Sequence, residues 1–236
     1  MTFFKKNLTH KTKSLILFVF LFVLDTLLRE LEGEYLHQYF SLVYVLVFFY
    51  YYRFGSEQGD KLLNISLLFQ FIGNFLSSSL TLNVWVFSIM MIVLNLNLVL
   101  FSYLIFKRAK IKKVLFYLIG IVLIIPYGIV MNFQLFESFG ALFWWIQLRV
   151  VVVVLLVSVS VAHFAKFPTV KGSYAMIGSL LIFINNLFYG YNLLFFEKFY
   201  FKYGITVTYL VGYFFILTFL IEPHNKKEEG VLNERV

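Results

Sequence analysis

The sequence predicts an all-α fold, a polytopic bundle of about eight transmembrane helices with both termini on the cytoplasmic side. Three observations lead there. Hydrophobic residues make up 61% of the 236 positions and charged residues only 14%, where a soluble domain carries nearer ~25% charged. The apolar runs are long, and each span of hydrocarbon needs about 20 such residues. The basic residues, which set the formal charge at +8, fall between the runs rather than on one folded face. That arrangement gives topology signals and excludes a nucleic-acid surface.

The runs cover residues 14–28, 35–52, 62–80, 84–106, 114–131, 147–165, 173–196 and 205–221. The first follows Lys5, Lys6, Lys11 and Lys13, as a signal peptide would. Asp25-Thr26-Leu27-Leu28-Arg29 offers no small-residue cleavage site, so the run reads as a retained anchor helix. No run shows the short alternating pattern of a membrane barrel, and backbone groups in lipid need internal partners, so helices remain. Lys and Arg number four, two, five, two and three in the N-terminal tail, in loops 53–61, 107–113 and 166–172 and in the C-terminal tail. The other four loops hold one, none, none and two, so sixteen basic residues stand against three and Arg149 lies within a span. The excess marks the cytoplasmic side.

Residues 1–222 read as a single transmembrane domain and 223–236 as a polar, disordered cytoplasmic tail. Between the fifth and sixth spans, Phe133 to Trp145 holds Glu137 and Gly140 and ends in Trp144-Trp145, which suits an interfacial loop or half-helix at the outer headgroups. The 31 Phe and 16 Tyr fit a lipid-facing surface with interfacial rings. There is no cysteine, hence no disulfide or thiolate site. His10, His37, His163 and His224 lack metal-pair spacing, so neither metal nor cofactor is expected. The last span has no Lys for a retinal-type Schiff base. The bilayer itself is the expected partner.

Polar groups inside the spans carry the functional information, because each costs several kcal/mol in hydrocarbon unless paired. Asp25 and Arg29 stand i,i+4 for a local ion pair near the outer end of the first span. Arg149 lies just inside the sixth span, where its stem can snorkel to the headgroups or its fork can face inward and hold a lipid phosphate. Gln70 and Asn74 share a face of the third span, beside Gly73 and Ser77, which favour close helix approach. Asn185, Asn186 and Asn192 lie in the seventh span, with the first and last nearly eclipsed. At 1.5 Å rise per residue, Asn74 and Asn185/Asn186 fall within roughly 5 Å of one depth near the midplane, so a pocket between the third and seventh spans is expected. Asn95 and Asn97 sit about 200° apart on the fourth span, so only one can share that interior. The same amides can instead serve only as helix glue.

Three segments resemble motifs of a known family: Phe71-Ile72-Gly73-Asn74, Gly178-Ser179-Leu180-Leu181-Ile182-Phe183-Ile184-Asn185-Asn186 and Thr208-Tyr209-Leu210-Val211-Gly212-Tyr213. In order and spacing they are similar to those of the lysoplasmalogenase-like (YhhN-like) integral membrane proteins, whose motifs end in Gly-Asp, Phe-x-x-Ser-Asp and Thr-Tyr-x-x-Ala-Gln. The resemblance implies an eight-helix bundle and hydrolysis of the vinyl ether bond of lysoplasmalogens. The chain departs where that chemistry would reside: Asn74 and Asn186 occupy the two acidic positions, Asn185 the Ser position and Tyr213 the Gln position, and His37-Gln38 stand where a basic-Pro element is expected. Vinyl ether hydrolysis needs a proton delivered and a water activated, which paired carboxyl groups supply and amides do not. No residue is therefore assigned a catalytic role. The expected function is binding of a lysolipid-like amphiphile by Gln70, Asn74, Asn95, Asn185, Asn186 and Tyr209, with Arg149 on the phosphate, in a bacterial inner membrane. The alternative is a non-enzymatic transporter or scaffold; a transporter should show matched helix breaks, and Pro126 in the fifth span has no counterpart.

Overall fold

The structure is a computed structural model and describes residues 10–32, 34–56, 60–78, 83–109, 119–120, 122, 143–194 and 199–221. All regular structure among them is helical: α1 (His10–Glu32), α2 (Glu34–Gly55), α3 (Lys61–Ser77), α4 (Val84–Ala109), α5 (Phe143–Lys166), α6 (Val170–Leu194) and α7 (Phe199–Ile221). These overlie seven of the eight expected spans. The fifth expected span apart from residues 119, 120 and 122, the segment from there to Phe143 and the 223–236 tail lie outside the described residues. Four helical segments, Val84–Arg108, Phe143–Lys166, Val170–Gly190 and Tyr203–Ile221, are long and apolar enough to cross a membrane. The chain thus has the helical, multi-pass character of an integral membrane protein.

Local chemistry sets the helix ends. Asp60 takes an extended conformation and its side chain accepts the Leu62 N–H at 2.9 Å, capping α3. At the other end the Ser77 and Ser78 hydroxyls turn back to the Asn74 and Phe75 carbonyls, each at 2.8 Å, and α3 stops short of the expected residue 80. Asn83 caps α4 by accepting the Val86 N–H at 2.9 Å. α5 ends just before Phe167-Pro168, as the proline ring requires, and Thr169 then caps α6 by accepting the Gly172 N–H at 3.0 Å. The start of α5 corrects the expectation at Trp144-Trp145. Both belong to its first turn, because Phe143 to Gln147 continues the apolar helix without a breaker.

The helices group into two units, residues 1–97 and 98–236. In the first, α1 packs on α2 and α2 on α3. Its core holds Tyr44, Val45, Phe48, Leu63 and Leu67, and the Phe18 and Phe48 rings lie 4.9 Å apart. Asp25 is buried there and accepts a hydrogen bond from the Tyr44 hydroxyl at 3.0 Å. The carboxylate that sequence spacing offered to Arg29 therefore ties α1 to α2. In the second unit, α6 packs on both α5 and α7. Gly178 and Gly212 let the α6 and α7 backbones approach closely, since a Cβ on Gly178 would stand 2.8 Å from the Gly212 carbonyl oxygen. The Arg108 guanidinium donates to the Phe219 and Leu220 carbonyls at 2.8 and 2.5 Å, satisfying acceptors that the end of α7 leaves open.

Candidate functional site

The sequence-predicted residues divide between the units. Gln70, Asn74 and Asn95 belong to the first, and Arg149, Asn185, Asn186 and Tyr209 to the second. Each set is organised by its own helices.

In the first unit, Gln70 and Asn74 are buried on one face of α3, as their i,i+4 spacing requires. Gln70 Nε2 donates to Asn74 Oδ1 at 2.9 Å, and Asn74 Nδ2 donates to the Ser41 carbonyl of α2 at 3.1 Å. One turn earlier on that face is Ser66, fully buried, which the sequence reading did not single out. Asn97 donates through Nδ2 to the Ser66 carbonyl at 2.8 Å and to its hydroxyl at 2.9 Å, and the Ser66 hydroxyl donates to the Asn97 carbonyl at 3.2 Å. Asn95 and Asn97 are both buried, and Asn97 is the one tied to α3.

The second unit joins two residues that sequence reasoning had named for different reasons. Arg149, in the second turn of α5, donates from Nε to Asn186 Oδ1 on α6 at 3.0 Å. The Asn186 amide nitrogen donates to the Ile182 carbonyl one turn back at 2.7 Å. Arg149 is half-buried, and both Tyr189 and Tyr213 lie near enough to feel its charge. Asn185 points to α7, donating to the Ile205 carbonyl at 2.6 Å and to the Thr208 hydroxyl at 3.3 Å. Thr208 in turn donates to the Gly204 carbonyl at 2.6 Å. Tyr209 stacks obliquely on Tyr213 at 4.7 Å, and the buried Tyr213 meets Phe101 edge-on at 5.6 Å. Thr208 was missed although it opens the Thr208-Tyr209 motif. Its partner on α6 was the signal within reach, since Asn185 is motif-borne too.

A guanidinium stays protonated, and amides and threonine and tyrosine hydroxyls donate and accept hydrogen bonds. Among the described residues no cluster of His, Asp or Glu could hold a metal ion. His163 is buried in aromatic surroundings, edge-on to Phe219 at 4.9 Å and tilted against Phe167 at 5.6 Å. Comparison with protein-family models, with curated proteins and with solved structures gives no match.

Proposed function

We propose that the chain is a lysoplasmalogenase-like (YhhN-like) protein of the bacterial inner membrane, with eight transmembrane helices and cytoplasmic termini, that binds a lysolipid-like amphiphile without hydrolysing it. The reading is supported by the Arg149 to Asn186 hydrogen bond at 3.0 Å. A neutral amide orients the guanidinium fork without cancelling its charge, and a fork held inside a span suits a lipid phosphate. Tyr189 and Tyr209 give this end of the second unit an aromatic surface for a single acyl chain, backed by the buried Tyr213. Replacement of the family's acidic residues by Asn74 and Asn186 removes the proton donor and acceptor that vinyl ether cleavage needs.

The test is a titration of the detergent-purified protein with lysophosphatidylethanolamine and with a monoacylglycerol of the same chain length. The phosphate-bearing lipid should bind more tightly, and Arg149→Gln should weaken it about tenfold, the loss of one charge-assisted hydrogen bond. Equal affinities for the two lipids, unchanged by Arg149→Gln, would overturn the reading. So would fatty aldehyde release from a lysoplasmalogen by the natural sequence.

A scaffold is the second reading, and one pattern favours it. Asn74, Asn97 and Asn185 each donate to a backbone carbonyl of another helix at 3.1, 2.8 and 2.6 Å. Such bonds hold helices together with or without a ligand. A protein that binds neither lipid above yet unfolds on losing these amides would be a scaffold.

A further inference from the structure

Where α2 ends and α3 begins, the two helices form an open cleft of about 420 Å³, lined by Phe49, Tyr50, Tyr52, Arg53, Phe54, Ser56 and Asn64. It contains none of the residues discussed above as ligand candidates. Four of its seven lining residues are aromatic, and the other three offer a guanidinium, a hydroxyl and an amide. The mixture is amphiphilic, as at a membrane boundary where rings meet acyl chains and polar tips meet headgroups.

The walls are built by local hydrogen bonding. The Tyr52 hydroxyl donates to the Asp60 carbonyl at 3.1 Å and also receives the Asp60 N–H, so the ring that ends α2 is fastened to the residue that starts α3. The Asp60 carboxylate is turned to the Leu62 N–H at 2.9 Å, capping α3. Arg53 stands exposed in the last turn of α2, and Asn64 stands exposed in the first turn of α3. The fastened turn therefore sets one cation and two neutral polar side chains around a concave aromatic floor.

We infer that this cavity binds the phosphate and glycerol region of an anionic phospholipid, with Arg53 on the phosphate, Ser56 and Asn64 on the glycerol or headgroup oxygens, and the Phe49, Tyr50 and Phe54 rings against the upper acyl chain. Charge complementarity selects an anion, since Arg53 is the charged side chain among the described residues of the wall. The aromatic majority selects a lipid over a free phosphate, which would leave those rings without a partner. A guanidinium beside neutral hydrogen-bonding groups also fits the oxygens of a phosphodiester better than a point charge would. The site lies at a helix end of the first unit, so it stands or falls independently of the Arg149 region and of the proposed membrane sidedness.

Native mass spectrometry of the full chain in neutral detergent, titrated with phosphatidylglycerol, phosphatidylcholine or inorganic phosphate, tests the assignment. One phosphatidylglycerol should be retained in preference to phosphatidylcholine, and Arg53→Gln should weaken its retention about tenfold. Lys107→Gln removes a basic residue at another helix end and should leave retention unchanged. Asn64→Phe fills the cavity and should also abolish retention, while both variants keep the thermal stability of the parent. Equal loss with Lys107→Gln would show a general charge effect and overturn the site. Unchanged retention in Arg53→Gln and Asn64→Phe would overturn it as well, and displacement of the lipid by millimolar phosphate would overturn the choice of lipid over a free anion.

Discussion

Alanine at Gly178 should destabilise the protein while alanine at Gly73 should not, although both changes add the same methyl group to a helix. At Gly178 the new carbon would lie 2.8 Å from the Gly212 carbonyl oxygen, 2.9 Å from Ile216 Cγ1 and 3.0 Å from the Ile216 backbone nitrogen. Two of those three atoms are backbone, so relief requires α6 and α7 to move apart as whole helices. Overpacking of this kind costs about 1–3 kcal/mol, and the upper end applies where backbones collide. Alanine returns about 1 kcal/mol of helix propensity over glycine, leaving a net loss of about 2 kcal/mol. At Gly73 the added carbon would lie 2.4 Å from Leu94 Cδ2 and 2.5 Å from Leu94 Cγ. Those atoms belong to a side chain that relieves the clash by turning about χ1, at about 0.5–1.5 kcal/mol, which the propensity gain offsets. Thermal unfolding in one detergent at one scan rate, followed by circular dichroism at a helix band, should place Gly178→Ala roughly 4–8 °C below the parent and Gly73→Ala within about 2 °C of it. If Gly73→Ala falls as far as Gly178→Ala, the backbone approach of α6 and α7 is not what these glycines serve.

Two further substitutions read the hydrogen bonding. Arg108→Met should lower the unfolding temperature by the loss of two charge-assisted bonds to the Phe219 and Leu220 carbonyls, about 2–3 kcal/mol, and Arg108→Lys should recover part of it because an ammonium reaches one carbonyl at a time. Asn74→Asp should destabilise more than Asn186→Asp in the same assay at neutral pH, because Asn186 has a guanidinium beside it at 3.0 Å to receive the new carboxylate, whereas a carboxylate at Asn74 would face the Ser41 carbonyl; a larger loss at Asn186 would refute the wiring described for these amides.

Helices were legible in the sequence because they carry long apolar runs, and four of the described ones are long and apolar enough to cross a membrane. Seven expected runs therefore overlie α1 to α7, and their misplaced ends have local causes. Ser77 and Ser78 end α3 by hydroxyl contacts that hydropathy does not register. Trp144 and Trp145 suit an interfacial loop and an interfacial first helical turn equally well, so composition could not choose between them. At the candidate site, contacts within a helix were legible and contacts between helices were not. The i,i+4 spacing gave Gln70 with Asn74, whereas Ser41, Ile205 and Ser66 contribute backbone carbonyls, and a carbonyl is present at every position whatever the side chain. Asp25 shows the same limit, since its spacing to Arg29 is visible in sequence and its bond to Tyr44, nineteen residues away, is not.

Asn74 and Asn186 each use an amide in a way that an aspartate could not. A backbone carbonyl only accepts, so Asn74 must turn its nitrogen to Ser41, and Asn186 must turn its nitrogen to Ile182. Arg149 Nε only donates, so Asn186 must turn its oxygen to the guanidinium. Each amide thus uses both ends, donating at one and accepting at the other, and an ionised carboxylate could make only the accepting bond while pressing a negative oxygen against the Ser41 or Ile182 carbonyl. At Asn186 the attraction of Arg149 would offset that repulsion. At Asn74 the amide bonds to Gln70 and to the Ser41 carbonyl, both neutral. The surroundings of these positions are therefore adapted to amides: a carboxylate at Asn186 would be neutralised by a guanidinium and one at Asn74 would face a carbonyl.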